Sequence, residues 1–162
     1  MSQARGTFFL PFSLLIFSLL LTFLPSCFSG GTESQKEKGL VVINVLDKKL
    51  YDDCHIAGSI CVPFMEVQKY ALKHIDKDAE IILYCSNYLC TSSIVNRKQL
   101  LNLGYKNVWV YKGGTAEWHQ RGYPVNGPCQ SSYLKKELSP PAEKESYVID
   151  IEILKKKLDE KR

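Results

Sequence analysis

What the chain lacks narrows its chemistry. Its 21 basic and 17 acidic residues leave a net charge of only +4. Lysine and glutamate alternate in the tail, so the charge forms a solvated surface and not a nucleic-acid-binding stripe. No Cys-x2-Cys knuckle occurs among the 6 cysteines, so Cys54, Cys61, Cys85 and Cys90 do not read as a zinc site. No arginine lies within the ten residues after Cys85. A loop that grips a phosphoryl group needs a guanidinium to match its oxygens, which excludes phosphatase chemistry there. Of the 3 histidines, His74 and His119 fall at helix ends and offer little. The apolar run Phe8 to Leu24 is short of the roughly 20 residues a membrane span needs.

That run is the first positive feature. It suits the hydrophobic region of a secretory leader and leads into Leu24-Pro25-Ser26-Cys27 and a small, polar stretch to Gly39. The pattern resembles a bacterial lipobox, with leucine three before the cysteine and a small residue just before it. The resemblance implies a lipoprotein-type signal peptide over 1–26, acylation of Cys27 and a flexible tether over 27–39. Two or three acyl chains give stable membrane attachment. The protein is then expected in a bacterial cell envelope, lipid-anchored and facing the periplasm or exterior, where thiols meet an oxidising milieu. An uncleaved anchor and simple secretion are the alternatives.

From Leu40 the sequence alternates strand and helix. Leu40 to Leu46, Ser59 to Phe64, Ala79 to Cys85 and Asn107 to Tyr111 are short apolar runs rich in β-branched residues, as buried parallel strands are. Glu66 to His74 places Val67, Tyr70 and Ala71 at helical spacing, and Thr91 to Leu103 is a helix stopped by Gly104. A short helix follows Gly113-Gly114 and ends at Gly122. Strands separated by helices of this length imply an α/β fold, an open parallel sheet with helices on both faces. Trp109 and Trp118 read as core and capping aromatics.

These residues carry a resemblance. "VINVLDKKLYDDCHIAGSICVPF" and "AEIILYCSNYLCTSSIVNRKQLLNLGYKNVWVYKGGTAEWHQRGYPV" resemble a single rhodanese domain, expected over 40–127. In that family the cysteine at the position of Cys85 accepts a sulfane sulfur as a persulfide and passes it to a thiol or cyanide. The resemblance thus implies a sulfurtransferase with Cys85 as the catalytic residue. Its partners are a small sulfur donor and a thiol acceptor, with no nucleic acid and no cofactor, and the protein is expected to be a monomer.

Elementary chemistry makes the position plausible on its own. Ligands bind beyond the carboxyl ends of strands in an open parallel sheet. Cys85 ends such a strand and faces the helix that begins near Thr91 to Ser93. Free amides and the helix dipole there favour an anion, which marks Ser86, Asn87, Thr91 and Ser92 as anion-binding residues and places the thiolate on Cys85.

The departures from the family are equally specific. The usual Ile-Asp-Val-Arg is Ile43-Asn44-Val45-Leu46, the usual Gly-His-Ile is Cys54-His55-Ile56, and Cys90 stands where an arginine commonly does. Loss of that arginine weakens binding of thiosulfate, a dianion, more than sulfur chemistry itself; Lys112 and Arg97 are the cations that remain to replace it. Cys85 and Cys90 also suggest a second class of function, a thiol–disulfide relay with Cys90 as resolving thiol and the pair oxidised. A third is an inactive interaction module. Cys54 and Cys61 read as small buried residues, with a disulfide between them left open, and Cys129 as an odd thiol.

Residues 128–145 read as a charged linker. Order then resumes over 146–162: Tyr147 to Ile149 as a strand, Asp150 as N-cap, and a helix with Ile153, Leu154 and Leu158 on one face. Because the family-like segment opens without a preceding strand and helix, this tail is expected to dock on the domain in their place. The alternative is a vestigial repeat that makes no contact.

Overall fold

The computed structural model describes residues 36–136, 140, 142 and 145–161. The leader expected over 1–26, Cys27, most of the tether and part of the 128–145 linker lie outside the described residues.

In chain order the elements are β1 (Leu40–Asn44), α1 (Lys48–Asp53), β2 (His55–Ile56), β3 (Ile60–Cys61), α2 (Val67–His74), β4 (Glu80–Tyr84), α3 (Ser92–Asn102), β5 (Asn107–Tyr111), α4 (Gly114–Gln120), β6 (Val125–Asn126) and α5 (Ile151–Glu160). Four strands form a parallel sheet in the order β3-β1-β4-β5, and β2 pairs antiparallel with β6. β1 and β4 sit in the middle and are buried at four consecutive residues each, because helices cover both of their faces. In β5, at the edge, Asn107 and Trp109 are exposed. Trp109 is therefore not a core residue, while Trp118 is fully buried.

Side chains alternate along β4 with a period of two, and this alternation divides the core. Ile81, Leu83 and Cys85 face one layer with Val67 and Ala71 of α2 and Leu100 of α3. Ile82 and Tyr84 face the other, with Tyr111, Trp118 and Leu154 and Leu158 of α5. Cys85 is thus directed toward α3 by the pleat of the central strand.

The sequence misses α1, whose six residues carry no buried side chain. Its signal is local: the Asp47 carboxylate accepts the Leu50 N–H at 2.9 Å and caps the first turn. The run after Ser59 pairs only at Ile60–Cys61, because Phe64–Glu66 turns into a 3-10 helix.

Past Gly127 the chain stays on the domain. Cys129 forms a disulfide with Cys54, and the Asp53 carboxylate accepts the N–H groups of Gln130 and Ser131, both at 3.0 Å. A hydrogen bond from the Ser131 hydroxyl, with those from the two N–H groups, holds the Asp53 carboxyl below its usual range. Leu134 is buried, and Gln120 donates to its carbonyl. The expected linker is therefore packed as far as Lys136. Cys129 is not an odd thiol, and Cys61 is free.

In the tail, Val148 makes a single parallel bridge to Val110 in place of the expected strand over Tyr147 to Ile149. Asp150 takes the N-cap position of α5. This helix buries Ile151, Leu154 and Leu158, whereas Ile153 is 48% exposed. Lys157 pairs with Glu80 at 3.0 Å.

Candidate functional site

The site is the loop between β4 and α3. Cys85 directly follows β4 and is 1% exposed. The backbone then curls through residues 86–91: the Leu89 N–H bonds the Asn87 side-chain oxygen at 3.0 Å and the Cys90 N–H bonds the Asn87 carbonyl at 3.1 Å. This asparagine turn brings Cys90 back over Cys85. Cys85 Sγ lies 3.5 Å from the Cys90 carbonyl oxygen and 3.8 Å from Ser93 Oγ.

The other side of the loop is pinned by α4. The Thr115 N–H donates to the Cys85 carbonyl at 3.0 Å and the Ala116 N–H to the Ser86 carbonyl at 2.9 Å. Gly114 permits this approach. A Cβ there would lie 2.4 Å from the Cys85 carbonyl oxygen, and its φ of +63° belongs to the left-handed region. The Gly-Gly pair after β5 is thus part of the site, although nothing in the sequence ties it to Cys85.

The two thiols are coupled. A hydrogen bond with Cys90, together with burial, pushes the Cys85 thiol far above its usual range. The same bond draws Cys90 down to about 5, against the opposing effect of burial; the Ser92 N–H and hydroxyl and the Ser86 N–H add to it. The shifts run in opposite directions and favour the anion on Cys90, while the helix terminus and the loop amides favour an anion on the pair.

Of the four residues expected to bind an anion, Ser86 and Ser92 donate to Cys90, Asn87 shapes the loop, and Thr91 is exposed at the N-cap of α3. Ser93, not among the residues expected at the site, is buried with its hydroxyl 3.8 Å from Cys85 Sγ. The expected Cys85–Cys90 disulfide is absent: both thiols are free. Arg97 does not supply the missing charge. Its Nε donates to the Val108 carbonyl at 2.8 Å and its guanidinium lies over the Tyr147 ring at 4.1 Å. Lys112 lines a cavity of about 300 Å³ with Tyr88, Glu117 and Arg121, walled on its far side by Val148 and Ile149.

Two buried groups steady the surroundings. The Tyr84 hydroxyl accepts the Ile56 N–H at 3.1 Å and meets Ser59 Oγ at 2.7 Å, fixing β2 against the end of β4. His55 stacks on Tyr51 at 3.7 Å and its Nδ1 lies 2.8 Å from the Tyr51 carbonyl, a structural role. Asn44 accepts the Leu46 N–H at the end of β1. Among the described residues no group of histidine, cysteine and carboxylate side chains is arranged to hold a metal.

The family described as rhodanese-like domain matches residues 32–121. A curated relative, thiosulfate sulfurtransferase GlpE of Coxiella burnetii, is 28% identical over 86 residues, covering 53% of this chain and 78% of its own. Among solved structures, the BH2092 protein of Bacillus halodurans is similar at 27% identity with a TM-score of 0.52, over 56% of this chain and 66% of that one. The rhodanese-like domain of the Alr3790 protein from Anabaena sp. is similar at 26% identity with a TM-score of 0.51, over 56% of this chain and 89% of that one.

Proposed function

The chain belongs to the rhodanese-like domain family, and on that premise we propose that it is a sulfurtransferase in which Cys85 accepts a sulfane sulfur as a persulfide. The persulfide is then handed to a thiol or cyanide. The observation that carries this reading is the position of Cys85: it directly follows a central parallel strand, in the loop that leads into the N-terminus of α3, with its sulfur 3.8 Å from Ser93 Oγ.

The coupled pair supplies the proton chemistry. Cys85 gives its proton to the Cys90 thiolate as its sulfur attacks the outer sulfur of the donor. The S–S bond of the donor breaks and its remaining electron pair leaves with sulfite or a thiolate. The product is an anionic persulfide on Cys85 beside a Cys90 thiol, so the net charge of the pair stays at one negative. Burial of Cys85 keeps water from the persulfide.

An anionic loop with Cys90 in place of a guanidinium repels a dianion. The favoured donor is therefore an organic persulfide rather than thiosulfate. The reading extends to location: a bacterial envelope, with the domain held by acyl chains on Cys27. The Cys54–Cys129 disulfide supports an oxidising compartment.

The test is sulfur transfer from an organic persulfide to cyanide by the full chain. Cys85→Ser should abolish it, and Cys61→Ser, altered at a free cysteine outside the loop, should leave it largely intact. Retention of full activity by Cys85→Ser would refute the assignment.

A further inference from the structure

Cys90 has no role as a sulfur acceptor in the reading above, yet it is built into the site. It packs against the cluster that contains Cys85, the Asn87 turn folds it over that residue, and its carbonyl oxygen lies 3.5 Å from Cys85 Sγ. We propose that Cys90 resolves the Cys85 persulfide within the chain, releasing hydrosulfide and leaving a Cys85–Cys90 disulfide, so that the protein is a dithiol-dependent, sulfide-releasing persulfide reductase. The inference rests on Cys85 carrying the persulfide.

The geometry selects which sulfur is attacked. Cys90 lies against Cys85 Sγ, and that atom becomes the inner sulfur once the persulfide forms. Attack by Cys90 there makes the Cys85–Cys90 bond and breaks the bond to the outer sulfur, which leaves with the electron pair as hydrosulfide. The proton that Cys90 received in the first step passes to it. The outer sulfur is reduced by two electrons and the two cysteines are oxidised to one disulfide, so atoms, charge and electrons balance.

Attack on the outer sulfur would instead expel the Cys85 thiolate. Its burial and its contact with Cys90 disfavour that anion, and a sulfur whose thiol resists ionisation is the slower leaving group. Hydrosulfide is the better one. Turnover needs an external dithiol, which reduces the Cys85–Cys90 disulfide by exchange and is itself oxidised to a disulfide. The Cys54–Cys129 disulfide lies elsewhere on the domain and takes no part.

The experiment is a single turnover. The full chain, its loop thiols reduced and the reductant removed, is mixed with an organic persulfide in less than one equivalent. Released sulfide and the mass of each cysteine-containing peptide are measured, with Cys85→Ser as background. Wild type should release close to one sulfide per sulfur added and yield a peptide containing the Cys85–Cys90 disulfide. Cys90→Ser should release little and retain one extra sulfur on Cys85, and Cys90→Ala should do the same. Melting curves of both variants verify that they fold.

Wild-type chain that keeps a stable persulfide on Cys85, or moves the sulfur to Cys90, would overturn the inference while leaving Cys85 as the acceptor. Wild-type chain that takes up no sulfur and releases no sulfide would overturn the acceptor reading as well.

Discussion

Val110 exchanges two backbone hydrogen bonds with the segment around Val148: its N–H donates to the Tyr147 carbonyl and its carbonyl accepts the Ile149 N–H, both at 3.0 Å. This one-residue bridge sets the tail on the free edge of the sheet, and the helix that follows buries Leu154 completely. Truncating a buried leucine costs about 2–5 kcal/mol. Leu154→Ala should therefore lower the unfolding free energy by that amount, read as a shifted urea midpoint, whereas Ile153→Ala, at a half-exposed position, should stay within about 0.5 kcal/mol of wild type. Equal midpoints for the two variants would show that α5 contributes nothing to stability.

The disulfide predicts a second effect. Cys54 and Cys129 are separated by 75 residues, and closing a loop of that length restricts the unfolded chain by about 4–5 kcal/mol in the chain-entropy picture. Cys129→Ser should lose about 2–5 kcal/mol. Added reductant should destabilise wild type to the same level and leave the variant unchanged. A wild type indifferent to reductant contradicts this.

Much of the architecture was legible in the sequence because it rests on short-range signals. The β-branched runs at Val41 to Ile43 and Ile81 to Leu83 mark buried strands, and Gly104 stops α3 with a φ of +86°. What escaped was long-range. Nothing local pairs Cys54 with Cys129, or tells that Gly114 must touch the Cys85 carbonyl. On α5 the apolar stripe included Ile153, but the face actually covered runs through Ile151, Leu154 and Leu158. At the site, the Cys-x4-Cys pattern was visible, while the direction of the coupling was not. It depends on which thiol the sheet buries and which the Asn87 turn leaves at the loop.

Gly114 gives a third prediction. A methyl group there would collide with the backbone of Cys85, Ser86 and Asn87 at 2.4–2.7 Å, so Gly114→Ala must displace the loop. Sulfur transfer should fall by at least about tenfold, roughly 1.4 kcal/mol of transition-state stabilisation. Gly104→Ala is the control: it has a positive φ but nothing within 4 Å of the added carbon, so it should cost about 1 kcal/mol of stability and leave the rate unchanged. Equal loss of activity in both would point to global destabilisation instead of loop geometry.

The coupled thiols predict a pH profile. Only the thiolate is alkylated, and Cys90 titrates at about 5, so below that pH its reaction with iodoacetamide should slow and above it the rate should be flat through neutrality. An ordinary thiol, with a pKa of roughly 8.5, would instead quicken about tenfold per unit between pH 6 and 8. Cys85→Ala removes the donor, so the Cys90 profile should move to higher pH. A wild-type rate still rising steeply at pH 7 would contradict the assignment of the anion to Cys90.

The central claim is that Cys85 takes the sulfur, and mass spectrometry of the Cys90→Ser chain after exposure to an organic persulfide tests it most directly, because resolution is blocked and the adduct persists. The account predicts one added sulfur atom, located by fragmentation on Cys85 and removed by cyanide. Added sulfur on Cys61, with Cys85 unmodified, would contradict it.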